Sequence, residues 1–282
     1  YAIPERAGAM VLYFNKDMFD EAEVGYPTKD WTWDDFLTAA KKLTKKDENG
    51  DVIHYGFAQG SWWPWWMSFM YQNGGRILDD KMEKVVINSS ENIEAINFYV
   101  DLIHEYNVSP DAEGYAAFGL QNGTPDPLFA QGGTAMELTG MWNINTLKSI
   151  EDLNWDIAPI WQGKERGTVA FVSAFAMPSS GKNKEAAFKA IEFLTSVEGQ
   201  KPIATNAQDA PAHKDVLESD AFLDADWTAG REINLMAFAE SSEAIIAPPL
   251  HPKFNEIIRI CGDHLSVCFE TGEDCTEAIE NI

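Results

Sequence analysis

Positive charge is scarce in this chain, and that scarcity is the first constraint on its function. Twenty-one Lys and Arg face 45 Asp and Glu, a formal net charge of −24 over 282 residues. Such a surface repels polyanions, which argues against nucleic acid and against anionic membranes. An anionic small ligand is weakly disfavoured, because one local Arg can override the global field. Long apolar runs are absent too: none reaches the roughly 20 residues that a bilayer span needs. Cysteine is sparse, with Cys261, Cys268 and Cys275 all near the C-terminus. Two of them seven apart on one straight helix stand about 10.5 Å apart, too far for a bridge. A turn at Thr271-Gly272-Glu273-Asp274 folds Cys275 back toward Cys268 in the alternative arrangement. Three cysteines do not settle the redox compartment.

The short signatures of common chemistries are missing as well. There is no Gly-x-Ser-x-Gly elbow, phosphate loop, dinucleotide fingerprint or His-Glu-x-x-His. Gly132-Gly133 is too short to cradle a phosphate and reads as a helix stop. The Asp47–Asp51 turn at Gly50 lacks the spaced ligands and closing Glu of a calcium loop. Cys261, His264 and Cys268 share one helix face, but zinc needs a fourth group and tighter pairs. A core stripe explains all three, so neither metal nor cofactor is expected. A glycosidase needs two carboxyls placed across a sugar, which spacing along the chain does not reveal.

Tryptophan is what the chain has in excess. Four of its ten Trp fall in Ser61-Trp62-Trp63-Pro64-Trp65-Trp66. Neither a period of 2 nor one of 3.6 buries all four, so some indoles face a cleft, a partner or solvent. Flat aromatic faces in a cleft suit the C–H faces of sugars, cations or other aromatics. The plainer alternative is a loop packed over a core edge.

The pattern around this run alternates strands and helices, which argues for an α/β fold. Residues 9–15 read as a buried strand. Thr32 caps a helix over 33–45 with Trp33, Phe36, Ala39, Ala40 and Leu43 inward. His54–Ala58 reads as a strand, and 65–72 as a helix stopped by Asn73-Gly74-Gly75. Ser90 opens a helix with Ile93, Ile96, Val100 and Ile103 on one face. Residues 107–125 read as irregular, Asp126-Pro127 as a helix start and 135–139 as a strand. Gly140-Met141-Trp142 turns that strand into another helix, and 155–160 and 169–177 read as strands. Asn183 caps a helix to Thr195 with Ala187, Ala190, Ile191 and Leu194 inward. A last helix over 253–269 carries Phe254, Ile257, Ile258, Cys261, Leu265 and Cys268. The chain begins at Tyr1-Ala2-Ile3-Pro4 with no Met or basic leader, so either processing has removed a leader or the chain is a piece of something longer.

Several segments, in order, resemble the extracellular solute-binding proteins of ABC importers, the sugar-binding family that includes maltose-binding protein. Tyr1-Ala2-Ile3-Pro4 followed by Val11-Leu12-Tyr13-Phe14-Asn15-Lys16-Asp17-Met18-Phe19 resembles the family's crossover strand and the segment after it. Thr32-Trp33-Asp34-Asp35-Phe36, Tyr55-Gly56-Phe57, Asn73-Gly74-Gly75, Phe129 with Gly132-Gly133-Thr134-Ala135-Met136, and Gly140-Met141-Trp142 follow at family-like intervals. Lys182 through Leu194 and Gln208-Asp209-Ala210-Pro211-Ala212 complete the series.

The resemblance implies a periplasmic-binding-protein-like (type II) two-lobe α/β fold, with the first lobe largely missing. Family members carry roughly a hundred residues ahead of the crossover strand that are not in this chain. Residues 1–172 and 240–282 would form the second lobe, and 173–239 a remnant of the first. The implied function is non-catalytic binding of a sugar or oligosaccharide between lobes that close by a hinge, with delivery to a membrane permease. The implied protein is a monomer, extracellular, and either a membrane-tethered lipoprotein or periplasmic. Implied ligand contacts are two or three of Trp62, Trp63, Trp65, Trp66 and Trp142, with Arg6, Asp209 and His251 as weaker candidates. For Trp142 the alternative is core packing, and for His251 a loop role. Competing functions are a cationic ligand such as a polyamine on the same indoles, a carbohydrate-active enzyme, and a protein–protein module with the Trp patch as hot spot.

Overall fold

Strand β1 (Ala2–Ala9) passes through Met10 into strand β2 (Val11–Asn15), and the two enter different sheets. One strand over 9–15 was expected. The chain divides instead at Met10, whose N–H donates to the Val169 carbonyl at 3.2 Å. The computed structural model describes residues 2–206, 209–225 and 230–282. Tyr1 and Gln208, both part of the resemblance, lie outside the described residues.

β2 is the middle of a three-stranded sheet, antiparallel to β5 (Met136–Thr139) on one side and β6 (Trp155–Ala158) on the other. All five of its residues are buried. Successive side chains point to opposite faces, so β2 serves two cores. Leu12 and Phe14 join Met136 and Leu138 in the larger one. Val11 and Tyr13 join Trp155 and Ile157 in the smaller one. Coverage on both faces explains the unbroken apolar run.

Helix α1 (Lys16–Glu21) leaves β2, and α2 (Trp33–Leu43) follows. The α2 start is a capping box: Thr32 Oγ1 accepts from the Asp35 N–H at 3.3 Å, and Asp35 Oδ2 accepts from the Thr32 N–H at 2.9 Å. Its buried residues, Phe36, Ala39, Ala40 and Leu43, match the expected face. A hairpin of β3 (Lys45–Lys46) and β4 (Val52–His54) comes next. At its turn, Asp47 Oδ1 accepts from the Asn49 and Asp51 N–H groups. The expected strand over 54–58 continues β4 only as single bridges of Tyr55 to Thr134 and of Ala58 to Glu137.

Helix α3 (Trp63–Gln72) begins two residues earlier than expected, with Pro64 in its first turn, where a missing N–H costs nothing. Every residue from Pro64 to Gln72 is buried, as befits a helix that is apolar all round. Helix α4 (Ser90–His104) opens at Ser90 as expected, with Ser89 as its cap. Helix α5 (Ala112–Ala117) interrupts the segment expected to be irregular, because Asp111 Oδ1 caps it through the Gly114 N–H at 2.8 Å. Helix α6 (Pro125–Ala130) puts Pro125 at its first position. After β5, a 3-10 turn (Met141–Asn143) leads into α7 (Ile144–Leu147).

Strand β7 (Ala170–Ala176) pairs antiparallel with β1 in a two-stranded ribbon, Gly8 opposite Phe171 and Arg6 opposite Ser173. Helix α8 (Lys184–Leu194) follows, and its expected inward face is a correction. Only Ile191 is buried, while Ala187, Ala190 and Leu194 are exposed and Phe193 is 62% exposed. No described residue covers that face. The Asn183 side chain makes no capping bond either. Helices α9 (Val197–Thr205), α10 (Lys214–Leu217), α11 (Asp220–Leu223) and α12 (Met236–Ser242) bring the chain back onto the smaller core.

Helix α13 (Phe254–Thr271) packs on the larger core through Cys261, Leu265 and Cys268, and ends at Gly272 with φ +76°. Helix α14 (Thr276–Glu280) then turns back. A Cys268–Cys275 disulfide closes the turn, with Cα atoms 5.5 Å apart, so the folded-back arrangement holds. Cys261 is a buried free thiol. With Cys268 committed to the disulfide, the Cys261-His264-Cys268 set cannot supply two thiolates. Among the described residues, no helix is long and apolar enough to cross a membrane.

Candidate functional site

The helical phase of α3 decides which indoles reach the surface. Starting the helix at Trp63 sends Trp65 and Trp66 inward and leaves Trp62 and Trp63 at its mouth. Trp66 is 1% exposed and belongs to the larger core, so it is withdrawn as a ligand contact. Trp65 is 8% exposed; its Nε1–H donates to the Leu138 carbonyl at 2.6 Å, and its ring lies against Gly60, where a Cβ would come within 2.9 Å. It supports the site from beneath. Trp62, the residue before the helix, is 49% exposed.

Phe171 of β7 is the hub that the sequence reading missed. Trp62 stacks on it at 5.2 Å and 26°, Trp142 meets it edge-on at 5.1 Å and 88°, and Trp63 approaches at 6.3 Å. Trp63 also meets Phe254, at the start of α13, edge-on at 5.5 Å. The result is an aromatic wall of Trp62, Trp63, Trp142, Phe171 and Phe254, drawn from four separate stretches of chain. Phe254 was read only as part of a core stripe. Phe171 lay within a strand whose apolar residues gave no sign of their partner.

Trp142 was the expected companion of the Trp run, and the structure brings them together. Its half-buried ring folds over Gly140, where a Cβ would collide at 2.0 Å, so only glycine allows this pose. Its Nε1–H donates to Asp126 Oδ2 at 3.2 Å. Tyr13 steadies the same turn by donating from its hydroxyl to the Gly140 carbonyl at 2.9 Å.

Arg6 and Asp209 sit on the ribbon beside the wall. Cross-strand partners share a face, so Gly8 lies beside Phe171. A Cβ on Gly8 would come within 2.9 Å of Asp209 Oδ1. Burial pushes the Asp209 carboxyl up, while the Ala210 N–H and the Arg6 guanidinium pull it back. Arg6 also pairs with its neighbour Glu5 at 3.3 Å. His251 reaches the wall through its backbone: its Nδ1 accepts from the Lys253 N–H at 3.2 Å, and its carbonyl accepts from the N–H of the wall residue Phe254, a turn that launches α13.

A recess of about 410 Å³ opens next to the wall, lined by Gln59, Ser61, Tyr99, Asn122, Phe269 and Glu270 among others. It adjoins the wall through Ser61, the residue before Trp62, but none of the wall aromatics lines it. The wall itself is an open surface: stacked rings, one carboxylate–guanidinium neighbourhood, and, among the described residues, no cluster able to hold a metal ion. It can bind a flat apolar face and orient hydroxyls or charges around it.

The family model described as bacterial extracellular solute-binding protein matches residues 1–201. The chain belongs to that family. Among curated relatives of this solute-binding protein, a putative binding protein of Brucella abortus is 27% identical over 281 residues, 97% of this chain and 64% of the relative. An arabinooligosaccharide-binding protein of Bacillus subtilis is 26% identical over 231 residues, 78% of this chain and 50% of the relative. Among solved structures, an ABC substrate-binding protein of Listeria monocytogenes in complex with cycloalternan superposes with a TM-score of 0.84 at 28% identity, covering all of this chain and 69% of that one. The expected α/β fold is the fold of these sugar-binding structures, and the chain spans 64% of the length of the Brucella relative.

Proposed function

We propose that the aromatic wall is one side of a carbohydrate site, and that bound sugar is carried to the permease of an ABC importer. The observation that carries this reading is the assembly of Trp62, Trp63 and Trp142 around Phe171, with Trp62 half open to solvent. Exposed indole faces supply apolar contact to sugar rings, and flanking polar groups such as Arg6 and Asp209 set orientation through hydroxyls. The relatives' arabinooligosaccharide and cycloalternan ligands favour a multi-ring saccharide over a single sugar. The relatives' names describe binding rather than catalysis, so the protein is read as a carrier and not an enzyme.

The domain reading is part of the proposal. Residues 1–172 and 240–282 are read as one lobe and 173–239 as part of an opposing one, although α9–α12 of that stretch pack on the smaller core beside Val11 and Tyr13. The bare apolar face of α8 supports this, because Phe188, Phe193 and Leu194 are the kind of surface that a larger lobe would cover. Closure of the two lobes is a population shift that needs a ligand binding the closed form more tightly. A monomer held outside the cell, lipid-tethered or periplasmic, completes the reading.

Intrinsic fluorescence titration of the protein with arabinooligosaccharides, cycloalternan and spermidine tests it. The expected result is a saturable shift with a saccharide, weakened tenfold or more by Trp142→Ala. A response to spermidine alone replaces the sugar with a cation. Release of shorter products from the oligosaccharide replaces the carrier with an enzyme.

A further inference from the structure

Behind the Trp142 indole lie two acids with no cation to answer them. Asp126, from α6, accepts the indole N–H on Oδ2 at 3.2 Å. Glu137, from β5, is fully buried and accepts from Asn143 Nδ2 on Oε1 at 2.6 Å. Asp126 Oδ1 and Glu137 Oε2 are both buried and meet no side-chain or backbone donor. Each carboxyl thus leaves one buried oxygen orphaned, and the two groups are close enough for each to act on the other. Carboxylates are acceptors only, so one proton held between the two groups is what would satisfy both orphaned oxygens.

The surroundings offer nothing else to neutralise the pair. Tyr13 from β2 and Tyr115 from α5 are the titratable groups facing it, and neither carries positive charge. The Tyr13 hydroxyl is committed to the Gly140 carbonyl and the Tyr115 hydroxyl to the Gln59 carbonyl at 2.8 Å. Among the described residues, no Lys or Arg acts on either carboxyl.

We propose that Asp126 and Glu137 are positioning residues: a carboxyl pair sharing one proton, which fixes the Trp142 ring in the aromatic wall and releases it when that proton leaves. With one proton present, Glu137 donates to Asp126, and Asp126 keeps a charged oxygen for the indole N–H. Without it, two adjacent carboxylates repel in a dry site, and the more accessible one, Asp126, swings away and takes the indole's anchor with it. Burial raises both carboxyls from their ordinary values, Glu137 the further. The sign follows. Stability drawn from a raised acid is complete below its unfolded value and is lost as pH rises through its folded value. The wall is therefore set at acidic pH and loosens toward the alkaline side.

The test is a pH titration of intrinsic fluorescence on the whole chain, with far-UV circular dichroism recorded alongside. The expected result is a step in emission while the backbone signal stays constant. That step is absent in Trp142→Phe, lost in Glu137→Gln, and lost in Asp126→Asn. The Gln variant keeps the neutral donor and the Asn variant an acceptor for the indole, so each preserves the shape without the shared proton. A step that persists in either folded variant, or that Trp142→Phe retains, overturns the proposal, as does an emission that stays flat wherever the chain is folded. The consequence for ligand rests on the carbohydrate reading: saccharide affinity falls across the same pH range in the parent and not in Glu137→Gln. Failure to bind any saccharide sinks that reading alone, because the emission step needs no ligand.

Discussion

Helices α3 and α8 are nearly the same length and both carry aromatic side chains, yet they end in opposite circumstances. In α3 nine consecutive residues are buried. In α8 one of eleven is. The difference does not lie in local helix-forming tendency, since both form. It lies in what else the chain brings to them. α3 is enclosed by α4, β5 and the segment around Trp161, whereas α8 touches α9 and little more. An apolar face is an instruction to be covered, and only the rest of the molecule decides whether the instruction is met.

The sharpest way to break this comparison is within the Trp run. Trp66→Ala should cost about 3–5 kcal/mol, because it empties a filled site. Trp62→Ala should cost less than about 1 kcal/mol, since nearly half of that side chain is already in water. Urea unfolding of the two variants checks it, and equal losses would mean that the wall is as load-carrying as the core. Next in size is the far end of the covered body. Cys275 is buried, and its N–H donates to Asn97 Oδ1 of α4 at 2.8 Å, so the disulfide ties α13 to the core. Replacing both Cys268 and Cys275 by Ala should lower stability by about 2–3 kcal/mol, read from the same unfolding curves. The smallest effect belongs to α8. Phe193→Ser should change stability by no more than about 0.5 kcal/mol while reducing binding of an apolar dye. A loss above about 1 kcal/mol would show that this face is packed after all.

What was legible in the sequence follows the range of the forces involved. The α2 capping box joins residues three apart, so its pattern is readable in place. The stop of α13 at Gly272 and the return of Cys275 are equally local. The Trp run shows the limit. Its surplus of indole was plain, but its division depended on where α3 begins, and Pro64 in the first turn moved that start by two residues and reset the phase. Phe171 stands 109 residues from Trp62, by subtraction of their numbers, and no local period links them. Asp126 and Glu137 are nearer in sequence, yet they come from a helix and a strand whose packing brings two acids together. The expected inward face of α8 failed for the reason already given: periodicity shows which side is apolar and not whether anything lies against it.

Gly140 carries a last consequence. Trp142 occupies the space that a methyl group at position 140 would need. A single-step mutation there, to alanine or serine, should displace the indole from the wall without altering any of the wall's own aromatic residues. This is a short path: one codon retires an aromatic platform and leaves the scaffold standing. For a protein engineer the same position is the place to reshape the wall without touching its aromatic residues.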